Sequence, residues 1–478
     1  GIPEVRLSSE LVLYGLLPPL LYAAALSTSL LDVRAHRGAI LSLSVGLVLF
    51  TAAGVGLVAW LMLPISFALA LALGAIVAPP DAVSATAIAR RIGLPRRVVT
   101  ILEGESLLND ATALVLVRVA TIALSAGVGF SDIAGQVVLK AGGGLAIGAA
   151  AALGAAWLHR RIGDPLLEDA VSLLTPFVVV IVAERAQTSS IVAVVVTGLY
   201  LGHRIPYLLS PTSRLQMDAV WRLLTFLLEG VVFLLVGLQL RQLVGDIGTD
   251  MATAVRVTGL VLLTLIAVRF AWMYPATYLA RLVPRIRNRE RRPPPTVPTV
   301  IAWAGMRGVV TLAAALTLPV PGGKVPDYPR DLFIFVAFAV IVLTLLLQGT
   351  TLPALARRLG VLEDTSAEDA LAEAGVQHDA SRAALRRLEE KADGAPASVV
   401  DRLRAIADSR ANNAWERLGS QNQETPSAAY GRLRREMIGA ERHVFKVARN
   451  EGRIPEEVLT RAQRELDLEE AQLNRSDD

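Results

Sequence analysis

The stretch Ile101–Val117, ILEGESLLNDATALVLV, holds three acids and an asparagine in a run that is otherwise mostly small and apolar. At helical spacing Glu103, Ser106 and Asp110 fall on one stripe, at i, i+3 and i+7, while Glu105 and Asn109 form an i, i+4 pair beside it. The run continues to Ala126 and is long enough to cross a bilayer, where each charge costs at least about 2.5 to 3.5 kcal/mol on insertion scales. Acids retained against that cost are candidates for function. Asp110 offers a carboxylate able to hold a proton or one hard monovalent cation, and Ser106, one turn away, offers a neutral oxygen to replace a hydration water. One acid with two mutually exclusive occupants has the chemistry of exchange; the bland alternative is a buried acid matched to an arginine.

The surrounding chain has the composition of a membrane protein. Of its 478 residues 53% are hydrophobic and 19% charged, and the mean hydropathy is +0.50, well above an ordinary soluble domain. A helix spans a bilayer with about 20 apolar residues. Eleven segments qualify: Ser9 to Leu31, Gly38 to Leu63, Ser66 to Ala89, Val98 to Ala126, Asp132 to Leu158, Asp169 to Ala186, Ser189 to Leu201, Met217 to Leu243, Met251 to Leu282, Val297 to Leu318 and Leu332 to Leu355. Basic residues in the connections orient them, because Lys and Arg are retained on the cytoplasmic side. Arg34, Arg37, Arg90, Arg91, Arg96, Arg97, Arg160, Arg161, Arg204, Arg214, Arg281, Arg285, Arg287, Arg289, Arg291 and Arg292 fall on one side; Arg185, Arg241, Lys324 and Arg330 fall on the other. This asymmetry predicts a multi-pass inner-membrane protein with a cytoplasmic C-terminus. The chain starts at Gly1 with no charged leader before the first apolar run, which reads as a fragment lacking its native N-terminus.

Residues 1–360 are thus expected to form the membrane domain, and residues 361–478 a soluble helical tail. The tail contains SRAALRRLEEK and ELDLEEAQLNR, whose opposite charges pair at helical spacing; its partner is not legible. With no cysteine, thiol chemistry and thiolate metal sites are excluded, and the five histidines show no metal-binding spacing. Neither an enzyme nor a resident cofactor is expected. The glycines of AGGGLAIG, Ala141 to Gly148, sit inside an apolar run with no preceding strand, so they read as helix packing and not as a phosphate loop. The arginine-rich connections suit anionic lipid headgroups better than nucleic acid.

Two spans are interrupted, the third by APPD at Ala78 to Asp81 and the tenth by AGMRGVV at Ala304 to Val310. Interruptions at corresponding places in two halves indicate an inverted-repeat transporter with its site at the midplane. Pro79 and Pro80 should free backbone carbonyls, and those of Ala78 and Pro80, beside Asp81, are candidate cation ligands. Arg307 sits among glycines and requires an acid, for which Glu105 is the choice. Arg269 either snorkels from near a helix end or has a function, and mid-span Glu229 is either its partner or a secondary proton group.

Together LEGESLLNDATALVL, GAIVAPPDAVSA, LLPPLLYAAAL, FLLVGLQL and AGMRGVVTLA resemble the NhaP/NHE-type branch of the cation/proton antiporters, over about Val5 to Gly360. The resemblance implies an all-α polytopic fold of thirteen helices, two of them absent from this chain, with two broken helices crossing in a six-helix core, and a homodimer. It further implies Asp110 as the ion- and proton-binding acid, Asn109 as its partner, Ser106 as a ligand and Glu105 with Arg307 as a structural ion pair. Electroneutral exchange of Na+ for H+ is expected, in the service of pH and sodium homeostasis, with K+ or Li+ as other cargo. A K+/H+ antiporter is the alternative, and a gated cation channel a more distant one. Two departures bear on cation choice: Pro80 holds the slot of a threonine in the usual Thr-Asp-Pro break, and Ala23 replaces a carboxylate after the PPLL run.

Overall fold

The computed structural model describes residues 11–126, 130–246, 251–279, 281, 293–321, 328–361, 366–416 and 425–477. Arg285, Arg287, Arg289, Arg291, Arg292, Lys324 and Glu363 lie outside them. The chain divides into two units, Gly1–Glu363 and Asp364–Asp478.

In the first unit every expected span coincides with a helix or a broken helix among the described residues. These are α1 (Leu17–Ser27), α2 (Arg37–Met62), α3a (Phe67–Val77) and α3b (Ala82–Arg91), α4 (Arg96–Ala126), α5 (Phe130–His159) and α6 (Pro165–Arg185). There follow α7 (Ser190–Leu208), α8 (Pro211–Asp246), α9 (Met251–Leu279), α10a (Thr296–Trp303) and α10b (Val309–Leu316), and α11 (Arg330–Arg358). Six are long and apolar enough to cross a membrane on those criteria alone: α2, the Val138–His159 part of α5, α6, α7, α9 and α11. α7 was expected to be short and end at Leu201, but it runs to Leu208. The polar Gly202, His203 and Arg204 lower the local hydropathy without ending the helix: the last two are exposed, and Arg204 lies over the Tyr200 ring at 5.8 Å.

Helix starts follow local chemistry. Asp164 caps α6 by accepting from Leu166 N–H at 2.8 Å with Pro165 at the first helical position, and the Ser189 hydroxyl accepts from Val192 N–H at the start of α7. Small residues set the helix crossings. A Cβ at Gly148 of α5 would lie 2.6 Å from the Ala193 carbonyl oxygen of α7, so the AGGGLAIG run serves close packing.

Apolar packing sorts the unit into two groups of helices. α1, α5, α6, α7 and α8 share a cluster around Tyr22, Val180, Val194 and Trp221. The other helices, α2, α3, α4, α9, α10 and α11, share two clusters stacked along their length, the first of which also takes in Leu17 of α1 and Val232 of α8. One holds α3a and α10b, through Leu73, Ile76, Leu312 and Ala315; the other holds α3b and α10a, through Ala85, Ala89, Val300 and Ile301. The first half of one broken helix thus packs with the second half of the other, so the two run in opposite directions, as an inverted repeat requires. Both breaks fall between the two clusters.

The second unit contains α12 (Ser366–Lys391), α13 (Ala397–Glu416), α14 (Pro426–Asn450) and α15 (Glu456–Asp477). α14 and α15 bury Ile438, Leu459 and Leu466, and ion pairs from Arg434 to Glu469 at 2.6 Å and from Arg442 to Asp467 at 2.6 Å join them.

Candidate functional site

Between the two apolar clusters lies a polar layer built by the breaks themselves. Pro79 and Pro80 have no N–H to donate, so the helical ladder lapses after Val77 and restarts at Ala82. Asp81 restarts it. Its Oδ2 accepts from Ser84 N–H at 3.4 Å and Ser84 Oγ–H at 2.6 Å, the geometry of an N-cap on α3b. In the other broken helix Ala304 to Gly308 are non-helical.

The two breaks are bonded to each other. Asp81 N–H donates to the Met306 carbonyl at 2.7 Å. Arg307 donates from Nε to the Val77 carbonyl at 2.9 Å, from Nη2 to the Ala78 carbonyl at 3.3 Å, and from Nη1 to the Gly305 carbonyl. Its own N–H donates to Thr344 Oγ1 of α11 at 3.0 Å. Only glycine fits at the crossing: a Cβ at Gly308 would lie 2.6 Å from Asp81 Cγ, and one at Gly305 would lie 2.7 Å from Arg269 Cδ.

The ion pair expected between Glu105 and Arg307 is not the one that forms. Glu105 pairs with Arg269 of α9, in a fork of 2.7 Å from Nη1 to Oε1 and 2.9 Å from Nη2 to Oε2, with the two side chains 1% and 2% exposed. Arg307 stands where the two breaks cross, beside carbonyls that have lost their helical donors, and a guanidinium with five N–H groups bonds two from the first break and one from its own. Arg269 stands on an unbroken helix and takes the carboxylate, adding bonds to the Ile301 carbonyl at 3.3 Å. It therefore does not snorkel. Glu229 is consequently not its partner; partly buried on α8, it lies within reach of the Asp81 charge.

Asp110 is partly buried on α4, close enough to Asp81 for their charges to interact. Ser106 lies one turn before it, also partly buried. Glu103, on the same stripe, forms an ion pair with Arg90 of α3b near the surface. Asn109 is fully buried, and its Nδ2 donates to the Pro80 carbonyl at 3.0 Å. The carbonyls of Ala78 and Pro80 thus each already accept one hydrogen bond, and each keeps a second lone pair. One turn beyond Asp110, Leu114 lines a cavity of about 230 Å³ between α1, α4, α6 and α7 that also holds Arg118 and Glu184.

Three features of the layer escape sequence reasoning. The Arg269 pairing is one, and Asn109 as the tie to the break is another. The third is Thr311 of α10b, a buried hydroxyl. Its only signal was its position three residues after Gly308.

The family model described as "Sodium/hydrogen exchanger, transmembrane" matches residues 2–358. Among similar proteins, an uncharacterised Na+/H+ exchanger of Mycobacterium tuberculosis is 36% identical, over 98% of this chain and 88% of the relative. The Na+/H+ antiporter NhaP of Pseudomonas aeruginosa is 31% identical, over 73% of this chain and 81% of its own. A sodium, potassium, lithium and rubidium/H+ antiporter of Bacillus subtilis is 31% identical over 73% of this chain and 54% of its own. Among solved structures, the sodium proton antiporter MjNhaP1 of Methanocaldococcus jannaschii at pH 8 superposes with a TM-score of 0.60 at 18% identity, covering 74% of this chain and 86% of that one. That likeness establishes the fold.

Proposed function

This chain belongs to the transmembrane sodium/hydrogen exchanger family, a family of transporters and not of enzymes, and on that premise we propose that it exchanges sodium for protons electroneutrally at Asp110. The observation that carries the reading is the bond from Asn109, next to Asp110, to the Pro80 carbonyl, which holds this turn of α4 at the crossing of two broken helices and within reach of the Asp81 charge, in a layer where the neighbouring acid Glu105 is matched by Arg269. Glu105 already has its counter-charge and Glu103 is paired with Arg90 near the surface, which leaves Asp110 as the acid of α4 for cargo. Ser106, Asp81 and the second lone pairs of the Ala78 and Pro80 carbonyls supply further oxygens around it. Asn109 and Arg307 hold those carbonyls in place, so the ligands are positioned before the cation arrives.

Exchange follows from competition. Cation and proton occupy Asp110 in turn, and each release leaves a buried carboxylate that must take the other before the site can cross the bilayer, because the bare charge is costly there. The protein would act as a homodimer in the inner membrane with its C-terminus in the cytoplasm, serving pH and sodium homeostasis. Potassium is the second reading, supported by the breadth of cargo in the name of the Bacillus subtilis relative. Proteoliposomes holding a pH dye decide the matter. Sodium added outside should enter in exchange for lumenal protons and alkalinise the lumen. Flux with potassium alone would move the assignment to the second reading, and flux with no cation would refute both.

A further inference from the structure

Thr311 is 1% exposed, and its Oγ1 makes no hydrogen bond to any described residue. That departs from the habit of this molecule. The hydroxyls of Thr112, Thr175, Thr197, Thr258 and Thr264 all donate to the carbonyl four residues earlier in their own helices. Thr311 belongs to the first turn of α10b, so the residue four before it is Arg307, inside the break, where the backbone is not helical. A buried hydroxyl without a partner is destabilising, and in a membrane core no bulk water relieves it.

Its surroundings say what it faces. Val309 and Leu312 line an apolar cavity with Val232, Phe338 and Ile341 of α8 and α11. At 100° per residue Thr311 lies about 200° round the helix from Val309, turned away from that cavity. Three residues earlier, one turn back, Gly308 abuts the carboxylate of Asp81, and Thr311 N–H closes that turn on the Gly308 carbonyl at 3.2 Å. A second buried acceptor stands unpartnered in the same layer. Asn109 must present Nδ2 to the Pro80 carbonyl, which can only accept, and its Oδ1 is left without a donor.

We infer that the Thr311 hydroxyl is a ligand of the transported cation, contributed by the second broken helix to the site at Asp81 and Asp110, and that it sets the preference among monovalent cations. The inference rests on the exchange proposed above. A neutral oxygen matters most to the cation that holds its water most tightly, so loss of the hydroxyl should weaken Li+ and Na+ more than K+. Asn109 Oδ1 is the acceptor on the opposite, α4 side of the same crossing.

The test compares Thr311→Val, which keeps the shape and loses the oxygen, with Thr311→Ser, which keeps the oxygen. Both are read in proteoliposomes by cation-dependent proton flux. Thr311→Val should raise KM for Na+ and Li+ about tenfold, the loss of one oxygen to a charged group, with a smaller rise for K+ and little change in maximal rate. Thr311→Ser should stay near wild type. Equal KM values in Thr311→Val and wild type for all three cations would overturn the assignment, as would equal impairment of both variants, which marks a packing role. If wild type itself moves no protons with any cation, it is the exchange reading that fails. Should Thr311→Val not assemble, the upward shift of Tm on adding Na+ in detergent, compared between wild type and Thr311→Ala, carries the test. A shift that survives in Thr311→Ala refutes the role.

Discussion

At the residue scale two carboxylates five positions apart on one helix, Glu105 and Asp110, have opposite duties in the proposed cycle. Asp110 is expected to be indispensable to turnover and dispensable to folding. Asp110→Asn should insert normally and lose cation-driven proton flux, since an amide can carry neither the proton nor the competing charge. Persistent flux in that variant would remove Asp110 from the cycle. Glu105 is the reverse, a structural charge locked into a two-pronged bond with Arg269. Glu105→Gln and Arg269→Gln should each lower stability by about 3 to 5 kcal/mol, because either leaves its partner buried and unmatched. Replacing both should recover part of the loss, whereas replacing Arg307 together with Glu105 should not. Melting in detergent distinguishes the two pairings, and recovery in the Arg307 combination would reverse the assignment made from the geometry. Sequence reading found both acids from their spacing on α4, but it assigned the wrong arginine. Nothing in a one-dimensional pattern ranks two guanidiniums that reach the same layer from different helices.

At the scale of elements, close backbone crossings fix the helices that carry the breaks. α2 and α3a cross so tightly that a Cβ at Gly74 would meet the Ala52 carbonyl and lie 2.9 Å from the Gly56 nitrogen. Backbone atoms cannot swing aside as a side chain can. Gly74→Ala should therefore force the helices apart at a cost of about 1 to 3 kcal/mol, seen as a lower Tm, and an unchanged Tm would show the crossing to be looser than drawn. In the second unit, charge pairs between α14 and α15 are pH-dependent. The Arg434 guanidinium, hydrogen-bonded to Glu469, holds that carboxyl below its ordinary value of 4.5. A depressed acid stabilises the pairing above its unfolded value and loses that contribution as pH falls through the folded one. The pair is only partly buried, with the Glu469 side chain 40% exposed, so the effect is small and screened by salt. Hydrogen exchange of α14 and α15, corrected for intrinsic rates, should quicken in wild type as pH falls below that ordinary carboxylate value and much less so in Glu469→Gln. Equal responses would detach Glu469 from the effect.

At the scale of the whole molecule the charge count predicts electroneutrality. In the proposed cycle Asp110 crosses with one proton or one monovalent cation and Asn109 stays neutral, while Glu105 is neutralised in place by Arg269 and Asp81 caps α3b. The membrane potential, worth about 2.3 kcal/mol per charge per 100 mV, then has nothing to act on. In proteoliposomes with an imposed valinomycin potential, the end point of sodium/proton exchange should not move with voltage. A shift would mean that a second acid, Asp81 or Glu229, carries a proton in the cycle.

Hydropathy and helical period are properties of consecutive residues, and so the sequence by itself determined the membrane-spanning helices, the two interruptions and the face of α4 that carries Asp110. Proline chemistry located the first break to the residue, because a missing N–H acts on its own helix. The tertiary structure alone decided how the interior groups pair. Glu105 and Arg269 are 164 residues apart in the chain, Arg307 and Val77 are 230 apart, and each partner is chosen by where helices cross. The same holds for Thr311. An intact helix would offer its hydroxyl the carbonyl four residues back, as it does for Thr112 and Thr258, and the non-helical backbone before α10b leaves that oxygen buried and without a partner.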